Sequence, residues 1–211
     1  MQHVAVSNAM LNVYAQGKGT PLLFVHGFPL THAMWHFQMD AFTKKYRVIV
    51  PDLRGFGEST VTTGTVSMED LADDLHGVLH GVWVDKPVVF CGLSMGGYVA
   101  WQFFRKYRAQ LRALILCDTR ATADTPEGAA GRHKLAETVM ADGAQAVYDA
   151  VVPKLLSPKT VERWAREGRI PAYRYFRHWR FRASELEFWM ATQVNSVCHP
   201  CRLQPEKTDG R

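Results

Sequence analysis

The sequence lacks any apolar run close to the roughly 18–20 residues that a helix needs to cross a bilayer. Its start, Met1 to Met10, lacks a basic segment followed by an apolar one, so no secretory signal is expected and a cytoplasmic location is. Cysteine is scarce, four in 211 residues, and its spacing excludes a disulfide framework. Cys91 and Cys117 sit inside apolar runs, where a thiol reads as a small buried hydrophobe. Cys198-His199-Pro200-Cys201 has C-x-x-C spacing but offers two thiolates where a structural zinc takes four ligands. It reads as a chance pair in a polar tail, and no metal is expected. After Thr160 there is no Val/Ile/Leu-rich run fit for a central strand and no Gly-His pair. Internal repeats are absent.

What is present points to a globular chain. Hydrophobic residues make up 47%, enough for one substantial core and against wholesale disorder. The formal net charge is +5, unevenly distributed. Acidic and basic residues mix up to about Thr160; beyond it lie Arg163, Arg166, Arg169, Arg174, Arg177, Arg180, Arg182, Arg202 and Arg211. From Arg174 to Arg182 arginine alternates with aromatics. Such a stretch can bind single-stranded nucleic acid or lie on a membrane surface. With no recognised module around it, a poorly packed tail is the preferred reading, and neither nucleic acid nor membrane is expected as a partner.

Val4 to Val6 and Met10 to Tyr14 flank Ser7-Asn8 and read as two strands joined by a turn. Four continuous apolar runs follow: Pro21–Val25, Tyr46–Val50, Val88–Cys91 and Leu111–Cys117. Runs of this kind suit strands buried on both faces of a parallel sheet. Helical segments separate them: His32 to Lys44 behind Thr31 as N-cap, Ser67 to about His80 behind a Ser67–Asp70 capping box, and Gly96 to Tyr107. The alternation predicts an α/β fold, a mostly parallel sheet with helices on both faces. Arg120 to Gly131 reads as a loop, and Arg132–Met140 and Gly143–Val152 as two short helices of a lid. The expected organisation is a core over 1–119, a lid over 120–160 and an atypical basic-aromatic tail over 161–211.

Gly92-Leu93-Ser94-Met95-Gly96-Gly97 follows a buried run and opens a helix, the context of a G-x-S-x-G nucleophile elbow. Glycine at 92 and 96 lets the chain turn sharply and lifts the Ser94 hydroxyl clear of the sheet. The helix start beneath it offers free N–H groups to an oxyanion, Met95 among them. His26-Gly27-Phe28-Pro29 follows the first run. The Phe28 N–H is the candidate second donor, since Pro29 has none. Gly27 belongs to the same loop, and His26 is expected to hold that loop by hydrogen bonds. Pro51-Asp52-Leu53-Arg54-Gly55-Phe56-Gly57-Glu58-Ser59 follows the second run, and Asp52 and Arg54 are expected to pin it by a charge-assisted bond.

These three motifs, HGFP, PDLRGFGES and GLSMGG, in this order and each after a buried run, resemble the α/β-hydrolase superfamily. The closest likeness is to its small branch of esterases, enol-lactonases and cofactor-free haloperoxidases, over roughly Val4 to Thr160. The resemblance implies Ser94 as nucleophile, Phe28 and Met95 as oxyanion donors, an ester or lactone as substrate, and no cofactor; the lid between Arg120 and Pro153 would shape an apolar pocket for a small hydrophobic acyl group. Relatives that open epoxides or remove halides carry aspartate at the elbow, so Ser94 argues against those reactions. The family order is serine, acid, histidine, and His26 precedes Ser94. Asp118 follows the fourth run, where some members place their acid; alternatively it caps or pins the loop. His178 and His199 follow Ser94 but would need an unexpected fold to reach it. The base is unassigned, and the family sequence is expected to stop near Thr160 to Arg169 through truncation or a frame shift. Three readings follow: an impaired serine hydrolase, a non-catalytic small-molecule binder, and a protein acting through its basic tail.

Overall fold

A computed structural model describes residues 1–143, 147, 158–175 and 178–180. The helix expected over Gly143 to Val152 falls largely outside them, as do Cys198, His199 and Cys201. The chain divides into two compact units, Met1–Thr125 and Pro126–Arg211.

The first unit is an α/β domain. Strands β1 (Gln2–Val6) and β2 (Ala9–Gln16) pair antiparallel around the Ser7-Asn8 turn. Strands β3 (Pro21–Val25), β4 (Arg47–Pro51), β5 (Val88–Leu93) and β6 (Leu111–Cys117) run parallel to one another. The sheet order is β1-β2-β4-β3-β5-β6, with β2 antiparallel to β4. Helix α1 (His36–Phe42) lies after a 3-10 turn at His32–Trp35, so the expected single helix to Lys44 is shorter and begins tighter. Helices α2 (Met68–Gly81) and α3 (Met95–Lys106) complete the unit.

Two apolar layers follow from this order. On one face, Leu71, Leu75 and Val78 of α2 and Val99 and Phe103 of α3 pack on Leu23, Val25, Ile49 and Phe90. On the other, Trp35 and Met39 cover Phe24, Val48 and Val50, with the Phe24 and Trp35 rings 5.1 Å apart. The α2 N-terminus is closed by a reciprocal cap: Ser67 Oγ accepts from the Asp70 N–H at 3.1 Å and the Asp70 carboxylate accepts from the Ser67 N–H at 2.8 Å. Aspartate thus does in this box what glutamate usually does.

One run departs from expectation. β6 is not buried on both faces: Leu111 is buried, but Ile115 and Leu116 are 47% and 39% exposed. It is an edge strand, with no partner on its outer side among the described residues. Its apolar sequence suits a central position that the described sheet does not provide.

In the second unit, helix α4 spans Pro126–Asp142. The loop expected to reach Gly131 therefore ends at Thr125, six residues earlier, because Pro126 supplies a ready-made first helical turn and Glu127 favours its positive end. None of its residues is buried. Helix α5 (Pro158–Arg166) and strands β7 (Tyr173–Tyr175) and β8 (His178–Arg180) follow, the strands pairing antiparallel. Most of α5 and both strands lie within 161–211, the segment expected as an atypical basic-aromatic tail.

Candidate functional site

The sheet reverses its direction of growth at β3. The chain moves from β3 to β4 on one side and then returns to place β5 on the other. In open α/β sheets a crevice forms beyond the C-terminal ends of the strands at such a switch point. HGFP leaves β3 and GLSMGG leaves β5 there, and Val25 is in register with Gly92.

Ser94 is the hinge of the bend. It has φ 49° and ψ −108°, a conformation that L-residues avoid and that surrounding contacts must hold. Its N–H donates to Cys117 oxygen at 2.9 Å, and its own oxygen accepts from Thr119 Oγ1 at 2.8 Å. The bend is thereby tied to the end of β6. The flanking glycines are required by space. A Cβ on Gly92 would lie 2.4 Å from Gly96 oxygen, and one on Gly96 would lie 2.4 Å from Val25 oxygen. Ser94 is partly exposed, and its side chain makes no capping hydrogen bond. Met95 is the first residue of α3, so its N–H has no acceptor within the helix.

The HGFP loop lies directly against this bend. A Cβ on Gly27 would sit 3.4 Å from Ser94 Cβ and 3.3 Å from Leu93 oxygen. Phe28 is 40% exposed, its ring edge-on to Phe56 at 6.0 Å. His26 is wholly buried. Its Nε2 accepts from the Leu53 N–H at 3.0 Å, which leaves the proton on Nδ1 to be donated to Gly27 oxygen at 3.0 Å. Both ring nitrogens are occupied, so this ring has no free lone pair to offer Ser94. Burial pushes its pKa below the ordinary 6.5, opposed only in part by the Gly27 bond and the Asp52 charge.

The Asp52 loop is corrected in detail. Asp52 and Arg54 do not pair with each other. Asp52 accepts from His32 N at 2.7 Å, His32 Nδ1 at 2.8 Å and Asn12 Nδ2 at 3.0 Å. Burial raises its pKa, but these bonds outweigh burial and hold the carboxyl below its usual range. Arg54 instead grips Asp74 of α2. The sequence carries no local signal for either partner, since both lie 20 residues away.

Asp118 is exposed, directly after β6, with φ 41°. His178 contributes backbone to β8 in the other unit, and His199 lies outside the described residues. Among the described residues no group of three metal-binding side chains occurs, and no helix is long and apolar enough to cross a membrane.

Comparison with known proteins gives this arrangement a family. The alpha/beta hydrolase fold family matches residues 20–158. The chain belongs to the α/β-hydrolase fold family. A superfamily protein of Bacillus subtilis, YisY, is 34% identical over 111 residues, which is 52% of this chain and 41% of that protein. Epoxide hydrolase 1 of Caenorhabditis elegans is 35% identical over 99 residues, 46% of this chain and 24% of that one. A solved thermophilic esterase from Thermogutta terrifontis is 43% identical with a TM-score of 0.72, over 76% of this chain and 61% of its own. The α/β-hydrolase chain thus spans less than half the length of these two curated relatives. A second family, a helix-turn-helix domain, matches residues 156–194, starting where the hydrolase match ends. The change in composition after Thr160 falls at this junction, and the arginine-aromatic stretch lies within the matched residues.

The buried His26 ring makes stability depend on pH in a defined window. Its folded pKa lies below its unfolded value of 6.5, so its contribution is complete above that pH and is lost as pH falls towards the folded value. Asp52 acts in the same direction at lower pH, below its usual 3.8. Urea midpoints measured from pH 7.5 down to about pH 5 are expected to fall, and to fall less steeply in His26→Gln. Parallel curves for the two proteins would contradict the lowered His26 pKa.

Proposed function

We propose that the Met1–Thr125 unit is the nucleophile half of a serine hydrolase acting on a small hydrophobic carboxylic ester or lactone. The observation that carries this reading is the strained Ser94 bend at the start of α3, with the Gly27 backbone against it. Ser94 Oγ attacks the carbonyl carbon, and the N–H groups of Phe28 and Met95 receive the oxyanion. The likeness to an esterase supports this chemistry. Serine rather than aspartate at the bend argues against the epoxide chemistry named for other relatives. Asp118 is the candidate acid. The base is unassigned: no Gly-His pair follows Ser94 in the sequence, and on this reading the activity is impaired at the step that needs a base.

p-Nitrophenyl acetate tests this. The full chain is expected to release a burst of p-nitrophenol of at most one equivalent, followed by turnover about 10⁴-fold or more below that of a complete triad. Mass spectrometry should place one acetyl group on Ser94, absent in Ser94→Ala. Equal labelling of the mutant would sink the nucleophile assignment. Steady rapid turnover would sink the impairment. Ligand binding without acylation would favour the non-catalytic binder.

The helix-turn-helix match favours a second reading for the Pro126–Arg211 unit, binding to duplex nucleic acid. Helix α5 carries Lys159, Arg163 and Arg166, and β7 and β8 carry Arg174 and Arg180. Phosphate contacts of this kind make affinity fall with salt. Retention on heparin should be salt-dependent and lost when the segment after Arg169 is deleted. Arg163→Ala should lower the slope of log affinity against log salt for a labelled duplex by about one. Retention unaffected by the deletion would remove this reading.

A further inference from the structure

At the opposite end of the sheet from Ser94, where β3, β4, β5 and β6 begin, two adjoining cavities open, of about 250 Å³ and 630 Å³. They share Gly19, Pro21 and Lys86. Their walls carry four cationic residues, Lys18, Arg47, Lys86 and Arg112, against a single carboxylate, Asp85. Arg47 is bonded to Val82 oxygen at 3.2 Å; the other three cations are exposed and form no ion pair among the described residues.

Trp83 stands at the rim of the smaller cavity, and its conformation is anomalous. It follows α2 as the left-handed residue of a Schellman cap: its N–H donates to His80 oxygen at 3.0 Å and the Val84 N–H to Leu79 oxygen at 2.9 Å. Glycine normally occupies that position, because a bulky side chain at φ 58° strains the backbone. Burial could offset such strain, but Trp83 is 92% exposed. Neither folding nor packing accounts for an indole here.

We propose that Trp83, Lys18 and Lys86 form a binding site for a nucleotide, distinct from the Ser94 site. The indole face stacks on the base, and the two ammonium groups take the phosphates. Strain at an exposed aromatic beside unpaired cations is what a ligand clamp requires. Arg112 in the larger cavity gives a longer phosphate chain somewhere to extend.

The test titrates the full chain with ADP, adenosine and inorganic phosphate at low salt, read by calorimetry and tryptophan fluorescence. ADP is expected to saturate and quench, with adenosine and phosphate each binding about tenfold or more weakly. Trp83→Gly is expected to weaken ADP about tenfold and to raise the thermal midpoint, because glycine takes this conformation without strain. Lys86→Ala is expected to weaken ADP with the midpoint unchanged, which keeps the test valid should the glycine variant misfold. ADP affinity unchanged in both variants, or no binding at millimolar ADP, overturns the proposal. Adenosine binding as tightly as ADP removes the phosphate site. A single-stranded oligonucleotide binding about a hundredfold tighter than ADP would replace the free nucleotide as ligand.

Discussion

Gly96→Ala is expected to destabilise the Met1–Thr125 unit by about 3 kcal/mol and to abolish acylation of Ser94. The added methyl would lie 2.4 Å from Val25 oxygen and 2.9 Å from His26 oxygen. Both are backbone atoms fixed in or beside β3, so neither can swing aside as a flexible side chain would. The start of α3 must instead move away from β3, which carries Ser94 away from the Gly27-Phe28 loop. One methyl group thus loses stability and chemistry together. Urea denaturation and the p-nitrophenyl acetate burst read the two effects separately. Gly131→Ala is the control: nothing lies within 4 Å of its Cβ position in α4. Alanine is the better helix former there and should raise stability by about 0.5–1 kcal/mol. A Gly96→Ala protein with an unchanged midpoint and burst would mean that the close packing of α3 on β3 is wrong.

The second large effect is expected at the Arg54–Asp74 pair. Arg54 Nε and Nη2 meet the two carboxylate oxygens of Asp74 at 2.9 Å and 2.6 Å, a bidentate fork, while Nη1 donates to Asn8 Oδ1 at 2.5 Å. Asp74 is 2% exposed and Arg54 9%. Arg54→Met removes the cation and leaves a buried carboxylate with no counter-charge, at a cost of about 3–5 kcal/mol. Replacing both residues, in Arg54→Met with Asp74→Leu, is expected to recover most of that loss, because no charge is then stranded. The four proteins form a double-mutant cycle, read by chemical denaturation. Additive losses would show that the two side chains do not act as a unit. The pair joins the loop after β4 to α2 and to the β1–β2 turn, so its removal should also weaken protection of that loop in hydrogen exchange.

These two sites differ in how far they could be read from sequence. Gly92 and Gly96 announce their role locally. Two glycines bracketing a serine between an apolar run and a helix can serve few other geometries. The Ser67–Asp70 box is equally local, with both partners within one helical turn. Pro21–Val25 and Leu111–Cys117 were readable as strands to the residue, because continuous apolar runs of that length mark them. Burial was less readable. Leu111–Cys117 has the composition of a central strand, yet it lies at the sheet edge. Composition records the environment a strand suits, whereas exposure depends on which neighbours are in place. The arginine-aromatic stretch was less legible for another reason. Its alternation has no clean period, and its likeness to a helix-turn-helix domain rests on a pattern spread over residues 156–194.

By itself the sequence determined the elements of the first unit, their alternation, and the bend that presents Ser94. Each of these is written in contacts between residues a few positions apart: apolar periodicity, end caps, and glycine where a Cβ cannot fit. Only the tertiary structure decided the partners of the buried polar groups. Asp52 meets His32 rather than Arg54, Arg54 meets Asp74 and Asn8, and His26 spends both ring nitrogens on the backbone of residues 27 and 53. Those partners lie up to 46 residues apart. Which of several available carboxylates or amides a buried charge reaches is set by sheet order and crossover, after the strands have assembled. A buried polar group must find a partner, but only the assembled sheet selects which one.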